Sequence, residues 1–196
     1  QLCEKDVQAL ERYYQAAYMQ IRQEDGSSSA KINLGRGLRQ GCPLSPVLGG
    51  LVVNAMVRGL ARGGGGIQHD SGVRLNTLAF ADDTAFVTES LGNMQLLFDR
   101  VHEFCSWAGV HINLAKSEVT GYDYGGCRAL STNSLTIGGG HLKHILPSTP
   151  FKYLGIRITV TLDLQAERAY VLQETKRVAA LLKGHEYHPS QIDWLV

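Results

Sequence analysis

The chain has 196 residues, a length suited to one domain or slightly more. With 44% hydrophobic and 19% charged residues, wholesale disorder is excluded. Lys and Arg exceed Asp and Glu by one, a net charge of +1, so bulk charge does not announce a nucleic-acid binder. The longest apolar stretch, 47–57, is interrupted by Gly49, Gly50 and Asn54. It falls far short of the ~20 residues that cross a bilayer.

Residue 1 is Gln, and no basic-then-apolar leader follows. The chain opens in helix-like sequence and reads as a fragment. Cys3, Cys42, Cys105 and Cys127 show no C-x-x-C spacing, which predicts a reduced, intracellular protein.

In chain order, a helix is predicted over 4–22, with Val7, Leu10, Tyr14, Ala17 and Ile21 on one face and Asp25-Gly26-Ser27 ending it. Ala30, Ile32 and Leu34 alternate as a short strand. Ser45-Pro46 opens a helix to about residue 61: Ser can cap, and Pro at the first position loses no hydrogen bond. That helix is apolar nearly all round and is expected to be buried. Strands over 73–80 and 84–88 flank Ala81-Asp82-Asp83 as a hairpin. A helix over 93–108 turns Leu97, Val101, Phe104 and Ala108 inward and stops at Gly109. Strands are expected over 117–122, 134–137, 141–145 and 151–159. A long helix over 163–183 ends at Gly184, and Pro189-Ser190 opens a further element.

Charge is distributed unevenly. Lys31, Arg36, Arg39, Arg58 and Arg62 stand without an acid between them, and 70–103 then carries six acids against Arg74 and Arg100. This suits a site that handles anions with the help of cations, although two solvated surfaces is the plainer reading of charge alone.

Two segments carry chemistry. In Phe80-Ala81-Asp82-Asp83, two carboxylates crowd the tip of a hairpin whose strands are apolar. A divalent cation relieves their repulsion, and hard oxygen ligands suit Mg²⁺. Alone, an Asp pair more often marks a plain turn. In Gly35-Arg36-Gly37-Leu38-Arg39-Gln40-Gly41 a Gly-rich loop feeds the helix at Ser45. It lacks the Gly-Lys-Ser/Thr of a Walker loop and the spacing of a dinucleotide fingerprint. Gly41 lets a flat ligand approach, Gln40 both donates and accepts, and Arg39 can hold phosphate. The pairs His141/His144 and His185/His188 lack the third and fourth ligands that zinc needs. Trp107 and Trp194 read as core or interface residues.

Taken together, Gly-Leu-Arg-Gln-Gly-Cys-Pro-Leu-Ser-Pro at 37–46 and Phe-Ala-Asp-Asp-Thr at 80–84 resemble the reverse transcriptase domain of non-LTR, LINE-like retrotransposons. Gly-Val-His-Ile-Asn-Leu-Ala-Lys-Ser-Glu at 109–118 and Phe-Lys-Tyr-Leu-Gly at 151–155 resemble two later segments of that family, in its order. Group II intron enzymes are similar but more often carry Pro where this chain has Arg39.

The resemblance implies an α+β fold: an antiparallel, ferredoxin-like palm sheet backed by helices over 1–160, then the start of a helical thumb over 161–196. It implies an RNA-directed DNA polymerase that joins a nucleotide to a primer 3′-hydroxyl with two Mg²⁺ ions. Its partners would be an RNA template, a DNA primer and deoxynucleoside triphosphates, with no membrane, in the nucleus. Asp82 and Asp83 would be catalytic metal ligands, and Lys116 a catalytic group near the triphosphate. Arg39, Gln40 and Gly41 would meet nucleotide and template, and Tyr153, Leu154 and Gly155 the primer. The family's upstream metal-binding Asp and its fingers have no counterpart. The acids before Gly35 (Glu4, Asp6, Glu11, Glu24 and Asp25) lie in the predicted first helix or its terminating loop. The fragment is therefore expected to be inactive alone. The alternative is a non-catalytic palm-like module that binds RNA or a protein.

Overall fold

A computed structural model describes residues 3–33, 35, 37–63 and 65–183. The chain divides into two compact units, Gln1–Leu51 and Val52–Val196. The predicted features at Leu34, Arg36, Gly184, His185, His188, Pro189-Ser190 and Trp194 lie outside the described residues.

In the first unit, helix α1 covers Glu4–Gln15. Asp6 accepts a hydrogen bond from the Cys3 amide at 3.1 Å, which occupies one of the free donors at the helix start. The helix stops well before the predicted residue 22. Strand β1 (Tyr18–Met19) instead pairs antiparallel with β2 (Ile32–Asn33), and Arg22 bridges Ser28. Gly26 turns the chain at φ +83°, and Asp25 Oδ1 accepts the Ser27 amide at 2.9 Å. This turn folds 18–22 onto 28–33, and the tertiary pairing overrides a helical period that the apolar spacing alone supported.

Helix α2, Ser45–Ala61, has the predicted bounds. Ser45 is its first helical residue rather than its cap, and its buried hydroxyl shares a 3.3 Å hydrogen bond with Tyr14. The expectation of burial on all sides fails: Val47 is 58% and Leu51 49% exposed. Within the first unit, α1 meets α2 across an apolar groove of about 450 Å³ lined by Leu10, Tyr13, Leu44 and Leu48 among others. Partial cover of this kind leaves apolar side chains of α2 in solvent.

The second unit is built around α3, Leu91–Ala108. Ser90 Oγ accepts the Asn93 amide at 3.2 Å to start it. Gly109 ends it in the left-handed conformation, φ +66°. Leu97, Val101 and Cys105 pack with Met56 and Leu60 of α2, while Phe98 packs with Val119, Leu135 and Ile137. Each such burial contributes roughly 1.5–3 kcal/mol.

Strand β3 (Ile67–Gln68) pairs with β4 (Arg74–Leu75), and β5 (Thr77–Phe80) with β6 (Asp83–Phe86), all antiparallel. The single strand expected over 73–80 is thus broken at Asn76. That side chain is buried and donates to the Leu60 carbonyl at 3.1 Å, while the Asn76 backbone carbonyl accepts the Val87 amide at 2.9 Å. Asn76 therefore satisfies a carbonyl near the end of α2 and fastens the β5–β6 hairpin beside it.

A short 3₁₀ turn, Leu114–Lys116, follows α3. Then come β7 (Glu118–Val119), β8 (Tyr122–Asp123), β9 (Arg128–Ala129), β10 (Thr136–Ile137), β11 (Gly140–His141) and β12 (Lys143–His144). Finally β13 (Phe151–Tyr153) and β14 (Ile156–Ile158) form a hairpin, and α4 runs over Gln165–Lys183. The expected strand over 151–159 is therefore two strands. Among the described residues the strands pair as two-stranded ribbons, antiparallel except β7 with β12. The class is α+β with small, mostly antiparallel sheets. Strands this short are cut by positive-φ residues such as Gly66, Gly72 and Gly138, where a ladder cannot continue. Trp107 is 81% exposed and so is no core residue.

Candidate active site

The register Phe80↔Asp83 leaves Ala81 and Asp82 as a two-residue hairpin loop. Ala81 takes φ +53°, the sign that tight hairpin turns require at this position. Asp82 occupies the tip, and Asp83 opens β6. Both are exposed, and neither carboxylate has a hydrogen bond or ion pair among the described residues. Behind them, Phe86 packs against both halves of the core, its ring 6.3 Å from Phe98 and nearly perpendicular to it. The hairpin is thus anchored at its base and solvated at its tip.

Two adjacent carboxylates with no ion-pair partner among the described residues are a hard-oxygen donor set of the kind Mg²⁺ takes. The count is short: among the described residues no three His, Cys, Asp or Glu side chains gather as a metal site. The donors present suit the ion in kind, and further oxygens are needed to hold it.

Arg39, Gln40 and Gly41 lie in the first unit. The Cys42 amide donates to the Arg39 carbonyl at 3.3 Å and closes a four-residue turn, with Gly41 at φ +78°. A positive φ at the third position marks a type II turn and asks for Gly. Gln40 is exposed at the second position. The Arg39 guanidinium lies over the Tyr13 ring, 5.3 Å from its centroid. Tyr13 also shares a 3.6 Å hydrogen bond with Cys42 Sγ. That contact holds the Cys42 thiol below its ordinary pKa and pushes the Tyr13 phenol up.

In the second unit, Lys116 ends the 3₁₀ turn. Its amide is held by Asn113 Oδ1 at 3.2 Å, and its exposed amine has no ion-pair partner among the described residues. Tyr153 pairs with Ile156, so Leu154 and Gly155 form another two-residue loop. Leu154 at φ +49° and Gly155 at φ +89° fit a type I′ turn, which needs positive φ twice. Tyr153 is half-buried and Leu154 exposed. None of Asp82, Asp83, Lys116 and Gly155 is joined to another by a hydrogen bond or ion pair. His144 Nδ1 lies 2.6 Å from Thr132 Oγ1 in an ordinary hydrogen bond. Sequence reading missed Arg157, Glu167 and Tyr170, which form a polar cluster beside the last hairpin.

Residues 3–158 match the family described as reverse transcriptase (RNA-dependent DNA polymerase). The chain belongs to that family. All four sequence segments, within 35–155, lie inside the match. A Pol polyprotein of the type-2 retrotransposable element R2DM of Drosophila melanogaster is 32% identical over 145 residues, 70% of this chain and 13% of that protein. Pol polyproteins of type-1 element R2 are 26% identical over 160 residues in Nasonia vitripennis and 28% over 139 residues in Popillia japonica. These matches take in 74% and 69% of this chain. The chain spans 13% to 23% of these relatives' lengths. It is a reverse transcriptase domain of the non-LTR retrotransposon kind, similar to R2. Among the described residues no helix is long and apolar enough to cross a membrane.

Proposed function

We propose that this chain is the catalytic palm of an RNA-directed DNA polymerase over 1–160 and the start of its thumb over 161–196, acting within a longer protein. A ferredoxin-like sheet would then be completed by strands beyond the described ribbons. The observation that carries the reading is the solvated Asp82–Asp83 tip on an anchored hairpin, within a chain of this family.

In this reading Asp82 and Asp83 hold Mg²⁺, and a third carboxylate comes from elsewhere in the protein. Two such ions, when bound, would supply Lewis-acid charge neutralisation for the phosphoryl displacement. Gln40 and Gly41 line the pocket for the incoming nucleotide and its template base. Arg39, backed by Tyr13, meets strand phosphate. Lys116 stands near the leaving pyrophosphate as its candidate general acid. The turn at Leu154-Gly155 supports the primer end. Template RNA, primer DNA and deoxynucleoside triphosphates follow as substrates, and the nucleus as the place of action.

Primer extension on an RNA template with Mg²⁺ tests this. The full-length protein carrying these residues is expected to incorporate nucleotides, and the 196 residues alone are expected to incorporate none. Silence of the full-length protein contradicts the polymerase reading. Robust incorporation by the chain alone contradicts the need for an outside ligand.

A further inference from the structure

The β13–β14 hairpin is a ribbon of three residue pairs, and a two-stranded ribbon of that length is marginal in water. Something else must hold its tip in place. The register supplies the means. With a two-residue loop, Tyr153–Ile156 is a hydrogen-bonded pair, so Lys152–Arg157 is not, and the Arg157 amide points away from the ladder. That amide donates to Glu167 Oε2 of α4 at 2.7 Å, a short, charge-assisted bond.

The Arg157 guanidinium adds to the same grip. Its Nη1 lies 3.6 Å from Glu167 Oε2, close enough for an ion pair and too far for a hydrogen bond. Nη1 is buried and has no hydrogen-bond partner among the described residues. The Tyr170 ring, one turn along α4, lies 3.5 Å from the guanidinium. Glu167 is about one-fifth exposed, so solvent screens this contact less than a surface pair. Glu167 also sits in the first turn of α4, where the helix dipole favours a carboxylate.

We propose that Glu167 is a positioning residue for the primer terminus: through Arg157 it locks the Leu154–Gly155 tip to helix α4. This rests on the reading of Tyr153, Leu154 and Gly155 as the primer-holding segment. Arg157 is two residues beyond Gly155, so a lock there sets the tip position across about 7 Å of strand. The clamp acts on primer geometry and leaves the nucleotide pocket alone.

The test is steady-state extension by the full-length protein, with primer–template and nucleotide varied separately. Glu167→Ala is expected to raise KM for primer–template about tenfold and to leave KM for nucleotide within twofold. Glu167→Gln, whose carbonyl oxygen still accepts the Arg157 amide, is expected to return the primer KM to within threefold of the parent. If Glu167→Ala does not accumulate as folded protein, Tyr170→Leu, at an exposed residue against the guanidinium, is expected to raise the primer KM alone, by about threefold. An unchanged primer KM in the folded variant, or equal losses for both substrates, overturns the inference and leaves the polymerase reading standing. A parent protein that extends no primer overturns both.

Discussion

Replacing Asp82 by asparagine in the full-length protein is expected to cut nucleotide incorporation at least about a thousandfold and to leave the fold intact. The two halves of this result have separate causes. Asp82 is exposed at the hairpin tip and unpaired among the described residues. Surface substitutions of that kind usually change stability by less than about 0.5 kcal/mol. The amide keeps the shape and removes the charge, and a divalent cation is held mainly by charge and hard oxygen. A thousandfold loss corresponds to about 4 kcal/mol of barrier. Single-turnover incorporation, read beside a thermal melt, separates the effects. Unchanged turnover removes Asp82 from the mechanism.

The second large effect is on stability. Phe98→Ala is expected to destabilise the second unit by about 3–5 kcal/mol, the usual cost of emptying a buried aromatic site. Phe98 is 5% exposed, packs with Val119, Leu135 and Ile137, and meets the Phe86 ring edge-on. Phe86 lies in the strand that Asp83 opens, so the cavity forms directly behind the carboxylate hairpin. Hydrogen exchange of the β5–β6 and α3 amides in the full-length protein is the measurement. Exchange of both segments should accelerate more than a hundredfold together, because local opening follows local stability. Acceleration in α3 alone would show that the hairpin does not depend on this core.

Where a local signal decided the element, the sequence was enough. The bounds of α2 follow from Ser45-Pro46 and the apolar run behind it. The end of α3 follows from its apolar stripe and Gly109; its start, expected at 93, lies at Leu91, where Ser90 caps it. The carboxylate hairpin is legible because apolar strands flank Ala81-Asp82-Asp83, although Asp83 pairs with Phe80 in the ladder rather than lying in the turn, and Leu78 and Phe80 are exposed where apolarity predicted burial. Misreadings arose where two periods compete. Residues 16–22 continue a helical stripe, yet Tyr18 and Met19 pair with Asn33 and Ile32 across the Asp25-Gly26 turn. Residues 151–159 read as one strand because nothing in their apolarity marks Leu154, a residue that adopts positive φ only within a folded turn. Asn76 looks like a strand interior polar residue, and its role appears only once the Leu60 carbonyl is beside it. The Arg157–Glu167 pair was invisible for the same reason: its partners are ten residues apart and meet only through the turn between β14 and α4.

The central claim is that the Asp82–Asp83 tip holds the metal of nucleotide transfer. Iron-directed cleavage reads this without measuring catalysis. With Fe²⁺ in place of Mg²⁺ and ascorbate and peroxide present, hydroxyl radicals cut the backbone beside the bound ion. The account predicts cuts in the full-length protein at 81–84, suppressed by excess Mg²⁺ and lost in Asp82→Asn. Cuts confined to other segments, or cuts at 81–84 that persist in Asp82→Asn, would contradict it.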